Sequence, residues 1–140
     1  MNQATGDLYR EQILEWANSA KQMVMIKSPT AEATKYNMAC GDTVRVLIKT
    51  SADKISDVSV ATSGCVICSA SAGIMCHALK GASKKQAQNL IKQATDVITL
   101  GKNHADDEMD LLSTVSQFPN RVRCAILAWE AIDDVLRQDQ

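Results

Sequence analysis

The chain has 140 residues and a mass of 15.2 kDa, the size of one domain with its own core, and is read as a single domain over residues 1–140. Hydrophobic residues make up 46% and charged residues 22%, and no apolar run approaches the ~20 residues of a membrane-spanning helix, which excludes disorder and membrane insertion. Fifteen basic against 16 acidic residues leave a net charge of -1, so no global field draws the chain to nucleic acid or anionic lipid, and function must reside in a local site.

Leu8, Ile13, Leu14, Trp16 and Ala17 recur at loose helical spacing, predicting a first helix over about residues 7–20 with Asp7 as its N-cap. Pro29 marks a boundary. The period then changes to two. Thr34, Tyr36 and Met38 alternate with Lys35 and Asn37, Val44, Val46 and Ile48 with Arg45 and Lys49, and Val58 and Val60 with Asp57 and Ser59. The connections around Gly41 and Asp53 are too short for a parallel crossover, so the three strands should form an antiparallel meander. Helical spacing returns at Ile67, Ala70, Ser71, Ile74 and Ala78, stopping at Gly81, and at Ala87, Leu90, Ile91, Ala94, Val97 and Ile98, stopping at Gly101. Lys102–Ser113 reads as a charged connector with Asp106, Asp107, Glu108 and Asp110. A last helix follows Pro119, with Val122, Ala125, Ile126, Trp129, Ile132 and Leu136 on one stripe. The fold class is α+β: a three-stranded meander packed against four or five helices.

Five cysteines are the unusual feature. The polar stretch Met1–Arg10 does not resemble a secretion signal, so a cytoplasmic chain with reduced thiols is expected, suited to metal or sulfur chemistry rather than disulfides. In a meander the first turn lies at the same end as the exit of the third strand. Cys40 and Asp42 in that turn should therefore meet Cys65, which follows Gly64. Cys124 lies off the last helix's stripe by roughly half a turn, so packing does not account for it. Cys40, Asp42, Cys65 and Cys124 together offer three thiolates and one carboxylate, a set that suits tetrahedral zinc.

Cys76 is read as core filler. Cys68 is either filler or a second thiol one turn from Cys65. Cys65 and Cys68 also match a redox dithiol at a helix N-terminus. A meander rather than a βαβ unit precedes them, however, and the only prolines are Pro29 and Pro119. His77 is expected at the surface and His104 in the connector. Two histidines without a serine constellation do not support acyl transfer, and no glycine-rich phosphate loop is present. Lys84, Lys85, Lys92 and Lys102 are expected on exposed helix faces.

Cys40-Gly41-Asp42, Gly64-Cys65 leading into Ser69-Ala70-Ser71, and Phe118-Pro119-Asn120-Arg121-Val122-Arg123-Cys124-Ala125 resemble, in this order, three signature segments of the IscU/NifU N-terminal family of iron-sulfur cluster assembly proteins. Arg123 stands where the IscU branch carries histidine, and the stretch from Cys65 to Cys124 is long, as in the SufU branch. Asn37-Met38-Ala39-Cys40 departs from the family's usual Asn-Pro-x-Cys. The resemblance implies zinc held by Cys40, Asp42, Cys65 and Cys124. It also implies a pyridoxal-phosphate cysteine desulfurase of the SufS kind as partner, with Cys40 accepting persulfide sulfur as in a zinc-dependent sulfurtransferase. Downstream assembly or apo-proteins would take the sulfur on. The alternative it implies is a scaffold for a transient iron-sulfur cluster; a thiol redox protein using Cys65 and Cys68 is the third reading. Arg123 is placed to hold Asp42 or an anionic sulfur, and Gly41 to let the turn move.

Overall fold

The alternating segments form strands β1 (Ala31–Asn37), β2 (Asp42–Ser51) and β3 (Lys54–Ser63), antiparallel in the order β1-β2-β3. The computed structural model describes residues 3–101 and 108–138, with side chains from residue 8 onward. Lys102, His104, Asp106 and Asp107 therefore lie outside the described residues. Among the described residues the other elements are four helices, α1 (Gln3–Lys21), α2 (Val66–Leu79), α3 (Lys84–Leu100) and α4 (Pro119–Gln138), with a 3-10 helix at Glu108–Gln117 before α4.

On the helix-facing side of the sheet Val44, Val46 and Ile48 line up with Val58 and Val60, and all are buried. Such cross-strand pairs of β-branched residues give the sheet its cohesion. β1 turns the opposite face to the one its pattern predicts. Ala31 and Ala33 pack toward the core, whereas Tyr36 is 68% exposed. The reason is α4, which packs against β1 and β2. Small alanines admit a helix where a tyrosine would hold it off. Lys35, on the inner side, reaches α4 and pairs with Asp134 at 3.0 Å.

α1 begins at Gln3, so Asp7 lies inside the helix rather than at its cap. Carboxylates are favoured throughout the first turns, so the residue marks the neighbourhood of the start and not its boundary. Ile13, Ala17 and Ala20 are buried, while the predicted Leu8 and Leu14 are 55% and 48% exposed. α2 runs beneath α1 with every residue from Cys68 to Cys76 buried. A Cβ on Gly73 would stand 2.5 Å from the Trp16 carbonyl oxygen, so glycine is what permits this approach. The predicted connector is partly structured. Met109, Leu112 and Val115, spaced by three, bury one edge of the 3-10 helix, the period of that helix rather than of an α-helix. α3 begins at a Ser83/Gln86 capping box and ends at Gly101 in left-handed conformation.

α2 and α4 are joined by a buried polar relay. Trp129 Nε1 donates to Ser71 Oγ at 2.9 Å, and Ser71 Oγ donates to the Ala125 carbonyl at 2.6 Å. Ser71→Ala leaves the indole N–H orphaned in the core and should cost about 2 kcal/mol by urea unfolding.

Candidate metal and sulfur site

The β1–β2 hairpin presents Cys40 at its tip because Asn37 organises the turn. The Asn37 carbonyl accepts from the N–H groups of Cys40 (3.3 Å) and Gly41 (2.8 Å), and its side-chain oxygen accepts from Ala39 N–H at 3.2 Å. Gly41 adopts φ 74°, the left-handed conformation that closes such a turn. Asp42 opens β2, and Thr43 pairs with Ser63 at the end of β3, which brings the chain's next residues to the same edge.

Gly64, at φ 145°, then allows the close passage of Asp42: any Cβ on it would collide with the Asp42 carboxylate. Cys65 follows as the N-cap of α2. Its N–H donates to Asp42 Oδ1 at 2.9 Å and its thiol accepts from Cys68 N–H at 3.5 Å. A hydroxyl pair, Thr62 and Ser69 at 2.9 Å, ties the end of β3 to the first turn of α2.

α4 completes the cluster from the other side. Cys124 Sγ lies 3.9 Å from Cys40 Sγ and 3.4 Å from the Asn120 carbonyl oxygen. The ligand atoms of Cys40, Asp42 and Cys124 all lie within 4.8 Å of one another. The Cys65 thiol stands beside this triad, close enough to Cys124 to act on its titration. Burial, chiefly, with the neighbouring Asp42, Cys65 and Cys40 groups adding to it, pushes the Cys124 thiol far above its ordinary range.

Asp42 is 1% exposed, and its Oδ2 is buried without a hydrogen-bond partner. An isolated buried carboxylate oxygen is costly, and a cation removes the cost. The donors also fit: thiolates and one carboxylate on convergent elements match a four-coordinate metal of borderline softness.

The remaining predicted residues separate from this cluster. Arg123 is exposed and lines an opening under the hairpin with Lys35 and Glu130; no hydrogen bond among the described residues links it to Asp42. One residue before Cys124 on a helix, its side chain is turned about 100° away. Cys124 itself is 2% exposed within the core cluster, so the expectation that packing plays no part in its placement fails. α4 is buried around more than one stripe. Cys68 is fully buried and its thiol is pushed up to about 12, chiefly by burial, with Asp42 and Cys65 adding to it. His77 is exposed, with its ring 5.3 Å from that of Trp16.

Cys76 is filler, as its spacing predicts, and burial pushes its thiol up to about 12. An unfolded thiol deprotonates near 9, so between these values the folded chain holds a proton that the unfolded chain has lost. Stability should therefore fall by about 1.4 kcal/mol per pH unit as pH rises through this window. Unfolding curves for the chain and for Cys76→Ala measure the difference in slope.

What the sequence did not single out is the role of Gly64 as clearance for Asp42, and that of Asn37 as builder of the turn. The Asn three residues before Cys40 was a legible signal for the second.

The family model for the NifU-like N terminal domain matches residues 8–138. The chain is 30% identical to the iron-sulfur cluster assembly scaffold protein IscU of Thermotoga maritima, over 94% of each protein. It is 32% identical to the zinc-dependent sulfurtransferase SufU of Bacillus subtilis, over 95% of this chain and 92% of that protein. A Streptococcus pyogenes protein also named as the scaffold IscU is 34% identical over 73% of this chain, a match spanning 66% of that protein. Among solved structures, a putative iron-sulfur cluster assembly scaffold protein for the SUF system from Fervidobacterium islandicum superposes with a TM-score of 0.82. The identity is 28%, over 90% of this chain and 94% of that one.

Proposed function

The chain belongs to the family of NifU-like N-terminal domains, and from that premise we propose that it is a sulfur acceptor in iron-sulfur cluster assembly, with zinc held by Cys40, Asp42, Cys65 and Cys124. The observation that carries the proposal is the buried Asp42 carboxylate: one of its oxygens lies within 4.8 Å of two thiols, and its Oδ2 has no hydrogen-bond partner. Zinc bound there would keep coordinating thiols ionised at neutral pH. The family match and the shared core support one functional domain over residues 1–140, and five free thiols suit the reducing cytoplasm.

The roles of the chain's own groups follow from their positions. Cys40 is the exposed thiol of the cluster and sits on a turn closed by Gly41, so it is the one a partner can reach. As thiolate it attacks the outer sulfur of a persulfide on a pyridoxal-phosphate cysteine desulfurase of the SufS kind. A new bond forms between Cys40 Sγ and that sulfur, the donor's S–S bond breaks, and the donor cysteine leaves as thiolate. Asp42 and Cys124 are buried and Cys65 is half-buried, so these three would keep hold of the metal while Cys40 exchanges. Downstream apo-proteins or assembly factors would then take the sulfur.

Purified chain should contain about one zinc per molecule and raise desulfurase turnover. Well-folded chain without metal and without that effect would refute the proposal. The names of two relatives favour a second reading, a scaffold carrying a transient iron-sulfur cluster on the same ligands as cargo. Anaerobic reconstitution followed by Mössbauer spectroscopy separates the two, because zinc gives no signal. Redox chemistry at Cys65 and Cys68 is disfavoured by the burial and raised thiol of Cys68. Cys68→Ala should retain full metal content and sulfur acceptance, measured as zinc per chain and desulfurase turnover; loss of turnover with metal retained would restore the redox reading.

A further inference from the structure

Two side-chain polar atoms among the described residues are buried without a hydrogen-bond partner, Asn37 Nδ2 and Asp42 Oδ2. They belong to residues directly opposite each other, since Asn37 and Asp42 are the last pair of the β1–β2 ladder. Opposed residues in an antiparallel pair share one face, with Cβ atoms about 4.5–5.5 Å apart. Both residues are buried, at 8% and 1% exposure.

Each side chain is pinned by its other end. Asn37 Oδ1 accepts from Ala39 N–H, which fixes the orientation of the amide and leaves Nδ2 as the free donor. Asp42 Oδ1 accepts from Cys65 N–H, which leaves Oδ2 as the free acceptor. An unsatisfied donor and an unsatisfied acceptor thus stand across one rung of the hairpin. The Asn37 carbonyl meanwhile holds the backbone of Cys40 and Gly41.

We propose that Asn37 is a positioning residue for Asp42: its Nδ2, unpartnered as the side chains stand, turns to donate to Asp42 Oδ2 once a bound metal has left that oxygen. The inference rests on the reading of Asp42 as a metal ligand. When a cation leaves or exchanges a ligand, Oδ2 is left buried beside thiols, which are weak donors, and among the described residues Arg123 makes no hydrogen bond to it. The amide is the strong neutral donor nearest along the ladder. Rotation about the outer side-chain torsions would close the pair, hold the carboxylate aimed at the site, and link it through one residue to the turn that carries Cys40.

The test is a 1H,15N correlation spectrum of the labelled full chain, with metal removed by chelation and then with Zn2+ added. The Asn37 side-chain amide should exchange slowly with solvent in the metal-free chain, shift on addition of one equivalent of Zn2+, and lose its protection in metal-free Asp42→Ala. An amide signal indifferent to both Zn2+ and Asp42→Ala overturns the inference. An exchange of partners gives an independent arm. Asn37→Asp keeps the acceptor for Ala39 N–H but sets two carboxylates against each other, and should lower the metal-free melting midpoint by roughly 5 °C. Asn37→Asp combined with Asp42→Asn should recover most of that loss. A residue acting only as a turn former would show no such recovery, and absence of recovery counts against the proposal. Should these variants fail to fold, the Asp42→Ala spectrum decides. A chain that shows the Asn37–Asp42 pair but takes up no zinc refutes the metal reading and leaves the pair standing; zinc uptake with an unmoved Asn37 signal does the reverse.

Discussion

Gly64→Ala is expected to lose roughly 100-fold in zinc affinity and about 2–4 kcal/mol in stability, although Gly64 donates nothing to the site. Two costs coincide there. The backbone sits at φ 145°, a conformation that L-residues rarely adopt, and the added Cβ would collide with the Asp42 carboxylate. The carboxylate must then move, and it cannot do so without giving up the Cys65 N–H bond that caps the join between β3 and α2. Competition with a chromophoric chelator reads the affinity, and urea unfolding reads the stability. Gly41→Ala is the informative control. Its Cβ would meet nothing within 4 Å, so only the cost of a positive φ, about 1 kcal/mol, is expected and the ligand geometry should survive. Equal zinc loss in both variants would mean that clearance for Asp42 is not what Gly64 provides.

The second large effect is that of Cys124→Ser. The hydroxyl is a poor replacement for thiolate, so zinc retention should be nearly abolished. The stability change should depend on the metal. At a free zinc concentration of about 1,000 times the dissociation constant, the parent chain gains roughly 4 kcal/mol that the variant cannot gain. After chelation the difference should shrink to the cost of a buried hydroxyl, about 1–2 kcal/mol. Unfolding curves with zinc and with chelator measure both. A difference that persists unchanged in chelator would make Cys124 a packing residue only, in line with its 2% exposure.

The legible parts of this protein were those governed by local rules. Period-two alternation and short connections were enough for the meander, and the meander alone brings the Cys40 turn to the exit of β3, where Thr43 pairs with Ser63. Gly81, Gly101 and Pro119 marked helix boundaries because each carries a backbone constraint that acts without tertiary help. Faces were harder. The orientation of β1 depends on α4, which begins about 80 residues further along the chain, and alternation of Ala and Thr with Lys and Tyr does not say which side it will cover. A period of three over Met109, Leu112 and Val115 was present in the sequence but obscured by the acidic residues around it. At the site, the meander was enough to bring Cys40, Asp42 and Cys65 to one edge, and the structure sets Cys124 of α4 beside Cys40 and Asp42. Arg123, the exposed neighbour of Cys124, makes no hydrogen bond to Asp42 among the described residues. Clearance at Gly64 and the unmet pair of Asn37 and Asp42 are properties of distances between chain segments, which no spacing rule encodes.

The most direct test of the account is to locate the accepted sulfur. Zinc-loaded chain is incubated with a pyridoxal-phosphate cysteine desulfurase and cysteine, persulfides are trapped by alkylation, and peptides are mapped by mass spectrometry. The account predicts one added sulfur on Cys40, with Cys68 and Cys76 unmodified in their buried positions. Sulfur found on Cys65 or Cys68 instead, or a chain that acquires none while the desulfurase turns over, would contradict it.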